Sequence, residues 1–191
     1  AFVLDYRVAP YVMPTPVLDV NRAVKVARSL GYEKVGVLGF SAGGHLTAMA
    51  GTMYDTGKPD DPDPIEHFSS RPDAFVPCYA VISMSEFTHH GSRMNIMGKD
   101  VDNWKALRNM SGELRVTPDT PPCFMSHTAS DGAVPVENSL NMAAACVKNG
   151  VPVELHIFPE GPHGMGLAGG VPAGQWCGLC QKWLLDLGFG K

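Results

Sequence analysis

An apolar run, Val35 to Leu38, leads directly into Gly39-Phe40-Ser41-Ala42-Gly43, and from there Leu46, Met49, Ala50 and Met53 recur at helical spacing. A strand that turns into a helix within so few residues leaves the serine on a sharp bend at the helix N-terminus. A serine hydroxyl is a weak nucleophile near neutral pH. Where it attacks, it is exposed on such a bend, beside a base, with amide donors facing the developing oxyanion. The flanking glycines suit the bend, because they tolerate strained backbone angles and let the helix pass close to the strand. The first-turn amides and dipole of that helix favour negative charge. Small-residue turns between strand and helix also occur where no chemistry happens, so the pentapeptide takes its meaning from the rest of the chain.

The flanking chain repeats the alternation. Ala1 to Tyr6 reads as a buried strand that ends before Pro10, Pro14 and Pro16, and Val17, Val20, Val24 and Ala27 form a helical stripe that stops near Gly31. Lys34 to Phe40, Ala74 to Met84, Pro122 to Thr128 and Val153 to Phe158 read as further strands. Leu140, Ala143, Ala144 and Val147 mark a helix closed by Lys148-Asn149-Gly150, and Trp176, Leu179, Cys180, Trp183, Leu184 and Leu187 share one face of the last helix. Strands alternating with helices predict an α/β fold, a mostly parallel sheet covered on both faces, in a single domain over 1–191. Two segments break the pattern. Tyr54 to Arg71, rich in proline, glycine and aspartate, reads as a solvated acidic loop without calcium-loop spacing. About 85–120 reads as an irregular, lid-like insertion with a short helical stretch from Val101 to Met110.

In open parallel sheets the functional groups lie beyond the carboxyl ends of the strands, and Ser41, Asp131 and His163 all fall in post-strand loops. Serine, acid, histidine is also the chain order of one of the known triad arrangements. In this reading His163 takes the proton of Ser41 and later delivers it to the leaving group, while Asp131 holds the imidazole tautomer and stabilises its cation. The Ala42 amide supplies one oxyanion donor. His127 and His156 lie at the end of and within strands and read as structural, and His45 reads as packed or locally bonded. His89 and Arg93 in the insertion, and Met165 just after His163, are candidates for facing substrate; a solvated loop is the plainer expectation for the pair His89-His90. Cys177 and Cys180 match CxxC, but no second CxxC accompanies them and Cys180 shares the tryptophan face, so packing is the expectation.

Composition narrows the partners. A net charge of −4 without a basic block excludes a nucleic-acid or anionic-membrane surface as the expected partner and favours a small-molecule substrate. Five cysteines in a chain of 191 residues read as reduced thiols, and with no signal-peptide pattern at the start the expected compartment is cytoplasmic. The histidines lack zinc-protease spacing, so the chemistry calls for neither metal nor cofactor.

Taken together, Tyr6-Arg7-Val8-Ala9-Pro10, Gly39 through Leu46, Ser70-Arg71-Pro72-Asp73, His127 through Asp131, Val134 through Ser139 and Gly161-Pro162-His163-Gly164 resemble the acetyl-xylan-esterase-like and BD-FAE-like esterases of the α/β-hydrolase superfamily. The resemblance implies a serine carboxylesterase that removes short acyl groups, acetyl above all, from carbohydrate-type or small alcohol substrates. It places nucleophile, acid and base on Ser41, Asp131 and His163. Alternatives are a serine peptidase of prolyl-oligopeptidase type and a truncated, non-catalytic hydrolase-like module. The resemblance departs in two places. Members of the group often carry two acids where this chain has Ser130-Asp131. They also carry, upstream of the Tyr-Arg strand, a further strand and a glycine-rich loop that completes the oxyanion hole. The expectation is therefore an N-terminally truncated hydrolase with a gap beside the Ser41 strand: either a fragment of a longer protein, or a chain whose gap is repaired by rearranged pairing or by another subunit, as a homo-oligomer or with a second chain.

Overall fold

The computed structural model describes residues 1–190. Four parallel strands, β1 (Gly36–Phe40), β2 (Ala74–Cys78), β3 (Cys123–Thr128) and β4 (Val153–Phe158), lie in the order β1-β2-β3-β4. Register runs Gly36 to Ala74 across the first pair and Cys123 to Val153 across the last. Six helices accompany them: α1 (Thr15–Ser29), α2 (Ser41–Thr52), α3 (His90–Met97), α4 (Trp104–Asn109), α5 (Glu137–Lys148) and α6 (Trp176–Asp186). Successive side chains of a strand point to opposite faces, and the core divides accordingly. Phe75, Cys123 and Met125 meet Ala48 of α2 with Met142 and Cys146 of α5. On the other face Val76, Cys78 and Phe124 meet Trp176 and Cys180 of α6. α1 lies outside α2, with Val17 and Val20 against Leu46 and Met49. The packing expected of Cys180 is thus observed.

Three expectations need correction. Ala1 to Tyr6 is not a strand: it has no ladder partner among the described residues, and Val3 is 99% exposed. The chain is instead fastened at Arg7, whose amide and guanidinium both donate to Asp19 of α1. β1 forms an edge of the described sheet and leaves Leu38 half-exposed, on the side where the sequence places a gap beside the Ser41 strand. The apolar run from Ala74 to Met84 stays buried throughout but ceases to be a strand at Cys78, because Tyr79 turns the chain with φ of 33°.

The acidic loop is not free in solvent either. Arg22 pairs with Asp63 at 2.6 Å and Glu66 at 2.7 Å, and the buried Lys25 pairs with Asp55 at 2.8 Å and Glu66 at 2.7 Å. Burial works against the Lys25 charge, but these partners outweigh it and hold its pKa above the ordinary lysine range. The loop carboxylates thus pin the segment to α1, and no cluster of metal-ligating side chains occurs among the described residues.

His45 is fully buried on α2. Its Nδ1–H donates to the Val81 carbonyl at 3.1 Å, across a separation of 36 residues rather than locally. Burial pushes its pKa from about 6.5 to about 4. Between those values the unfolded chain binds a proton that the folded chain refuses. Stability is therefore full above the unfolded pKa and falls as pH drops toward 4, by about 3 kcal/mol from this residue. Urea midpoints measured across that window should fall steeply for the native protein and less steeply for His45→Gln. Parallel curves would remove His45 as the cause.

Candidate active site

β1 and α2 place Ser41. The residue before it, Phe40, is extended, and Ser41 itself has a φ of 53°, in the left-handed region that β-carbon residues rarely occupy. Gly39 is required for this bend, since a Cβ there would sit 2.3 Å from the Gly43 carbonyl oxygen and 2.5 Å from Thr47 Oγ1. Close approach of helix to sheet falls on Gly44, whose Cβ would lie 2.5 Å from that of Ala80. At Gly43 the nearest atom is the Tyr6 hydroxyl at 3.9 Å, so the close-packing role read for Gly43 belongs to Gly44. Phe40, at the N-cap, has no side chain that can accept from the first turn, which leaves the Ala42 amide at the helix N-terminus next to the serine.

The loops after β3 and β4 bring the other two residues to Ser41. His163 Nε2 lies 2.7 Å from Ser41 Oγ, and His163 Nδ1 lies 2.7 Å from Asp131 Oδ2. A carboxylate only accepts, so Nδ1 carries the ring proton and Nε2 is left to accept from the serine hydroxyl. Asp131 is held on both oxygens: Oδ1 accepts from the Ala133 and Val134 amides, each at 2.9 Å. Burial raises the Asp131 pKa, but the hydrogen bonds from His163, Val134 and Ala133 together outweigh it and keep the carboxyl below its usual range. The acid is ionised wherever His163 would need it.

Neither His127 nor His156 bonds Ser41. His127 is buried, with Nδ1 2.8 Å from Ser139 Oγ and Nε2 donating to the Val134 carbonyl at 3.0 Å; it lies 3.3 Å from Asp131 Oδ2. His156 on β4 bonds Glu154 at 2.7 Å. Of the candidates for facing substrate, His89 caps α3 by accepting from the Ser92 amide. Arg93 donates to the Val101 carbonyl within the insertion. Met165 packs against the cluster of Val76, Phe124 and Trp176. Tyr79, whose ring meets His163 with centroids 5.1 Å apart, carries no signal in the sequence because it stands inside an apolar run that reads as strand. Thr128 and Ser130 are equally silent there, although their hydroxyls bond Gly161 at the start of the His163 loop.

The BD-FAE family model matches residues 1–146. The chain is 32% identical to endo-1,4-beta-xylanase B of Butyrivibrio fibrisolvens, over 93% of this chain and 29% of that protein. It is 30% identical to an acetylxylan esterase of Xylanibacter ruminicola, over 98% and 37%. The chain therefore spans about a third of the length of these two relatives. Among solved structures, an acetyl ester-xyloside bifunctional hydrolase from Caldicellulosiruptor lactoaceticus superposes with a TM-score of 0.95 at 47% identity, covering 99% of this chain and 72% of that one.

Proposed function

The chain belongs to the BD-FAE family of α/β-hydrolases, and we propose that it is a serine carboxylesterase acting on short-chain acyl esters, chiefly acetyl, of carbohydrate-type or small alcohol substrates. One observation carries the reading: the continuous path from Ser41 Oγ through His163 to Asp131, both contacts at 2.7 Å. As Ser41 Oγ attacks the acyl carbon, His163 Nε2 takes its proton, and the electron pair of the carbonyl moves onto oxygen beside the Ala42 amide. Asp131 stabilises the imidazolium through Nδ1–H. Collapse of the tetrahedral intermediate breaks the bond to the alcohol, which leaves with the proton from His163. Water then loses a proton to His163 and attacks the acyl-serine, and return of that proton to Ser41 releases the carboxylic acid. Small acyl groups on carbohydrate-type alcohols are favoured by the similarity of the chain to an acetylxylan esterase and an acetyl ester-xyloside bifunctional hydrolase.

Acid quenching during turnover of p-nitrophenyl acetate, followed by peptide mass analysis, should find one acetyl group on Ser41. Acetate release from acetylated xylo-oligosaccharides should exceed release of longer acyl groups from matched esters. Turnover without an adduct at Ser41 would displace the serine as nucleophile, and preference for long chains would displace the substrate class.

A further inference from the structure

Resting on the esterase reading, we propose that Tyr79 is a positioning residue for His163, holding the histidine loop at the height the Ser41 elbow requires. The His163 loop is anchored on both sides of the histidine. On the near side, Thr128 Oγ1 donates to the Gly161 carbonyl at 2.8 Å and the Gly161 amide donates to Ser130 Oγ at 3.0 Å. On the far side everything converges on Gly166: its amide donates to the Tyr79 hydroxyl at 2.9 Å, and its carbonyl accepts from Trp176 Nε1 at 3.2 Å. His163 stands between these two fastenings.

The tyrosine also touches both halves of the nucleophile–base pair. Its ring stacks on Phe40, the residue before Ser41, with centroids 5.4 Å apart, and meets the His163 imidazole edge to face at 5.1 Å. Phe40 in turn packs edge to face on Trp176 at 5.9 Å. One aromatic stack thus sets the distance between the bend that carries the serine and the loop that carries the base. Tyr79 reaches this place only by turning the chain out of β2 with φ of 33°, a conformation that costs free energy in a residue with a β-carbon. Its amide, donating to Ser126 at 2.7 Å, holds the turn against β3. A tyrosine used only as core filler would need neither the turn nor the hydroxyl bond. A reacting pair that must stay in contact loses rate steeply on small displacement, by up to about a hundredfold for roughly 1 Å.

Tyr79→Phe keeps the ring and deletes the acceptor for Gly166; Trp176→Phe deletes the donor to the same residue from the opposite side. Each should lower kcat for p-nitrophenyl acetate by about tenfold with KM within about twofold of the native value. In both, the low-field proton resonance of the His163 Nδ1–H bond to Asp131 should broaden. A purely structural tyrosine would lower Tm while leaving kcat and that resonance alone, and this result for Tyr79→Phe overturns the proposal. If Tyr79→Phe does not fold, Trp176→Phe decides on the same readouts. Native protein that neither hydrolyses the ester nor acquires acetyl on Ser41 refutes the esterase reading itself; an active native protein matched by both variants refutes only the positioning role.

Discussion

Ser41→Ala is expected to lower kcat for ester hydrolysis by about a millionfold while leaving KM nearly unchanged. The size follows from what the substitution removes and what it leaves. The Ala42 amide stays at the N-terminus of α2, and His163 keeps its bond to Asp131, so ester binding is expected to persist. What is lost is the only oxygen within reach of His163 Nε2 among the groups that bond it, and with it the acyl-enzyme route. The remaining rate should lie roughly three to four orders of magnitude above the uncatalysed reaction, from binding and oxyanion contacts alone. Initial rates with p-nitrophenyl acetate, on protein whose folding is checked by circular dichroism, provide the measurement. A variant that keeps even a tenth of the native kcat would require a different nucleophile.

The candidate triad was legible because its members follow strands that the sequence marks, by an apolar run before Ser41 and by alternation from Val153 to Phe158 before His163. β1, β3 and β4 lie within a residue or two of where the sequence puts them, and a parallel sheet carries all three loops to the same edge. Where legibility failed, the missing information was non-local. An apolar run states that residues are buried, not that they are paired, so Val81, Ile82 and Met84 read as strand although the chain has already turned at Tyr79. Ala1 to Tyr6 has strand-like residues but no neighbour to complete a ladder among the described residues. Helix α3, His-Gly-Ser-Arg-Met-Asn-Ile-Met, has no apolar stripe to announce it and begins on a cap from His89. The acidic loop looked solvated because its cations, Arg22 and Lys25, stand some forty residues earlier.

The same blindness hid Asn138, for which the largest loss of stability is expected. Asn138 sits at the start of α5, fully buried, and uses its whole amide. Its Oδ1 accepts from the Ile82 and Ser83 amides, both at 2.9 Å; its Nδ2 donates to the Phe87 carbonyl at 2.8 Å and the Pro135 carbonyl at 2.9 Å. The chain leaving Tyr79 therefore has no ladder of its own here and borrows one side chain to satisfy its backbone. Asn138→Leu keeps the branch at Cγ but puts bulkier methyls in place of the amide oxygen and nitrogen; it leaves two buried N–H groups without an acceptor, each costing about 1–3 kcal/mol, and two carbonyls with less. A total of about 4 kcal/mol is a large part of the 5–15 kcal/mol that usually holds a domain together. In a domain of this size that corresponds to a fall in Tm of about 12 °C. Activity should fall at temperatures where the variant is still folded, because the same segment carries Tyr79 upstream and its Val81 amide bonds the Ser41 carbonyl at 3.3 Å. Thermal scans alongside p-nitrophenyl acetate rates measure both. A Tm within about 3 °C of the native value would mean that the segment from Ile82 to Phe87 satisfies its backbone without Asn138.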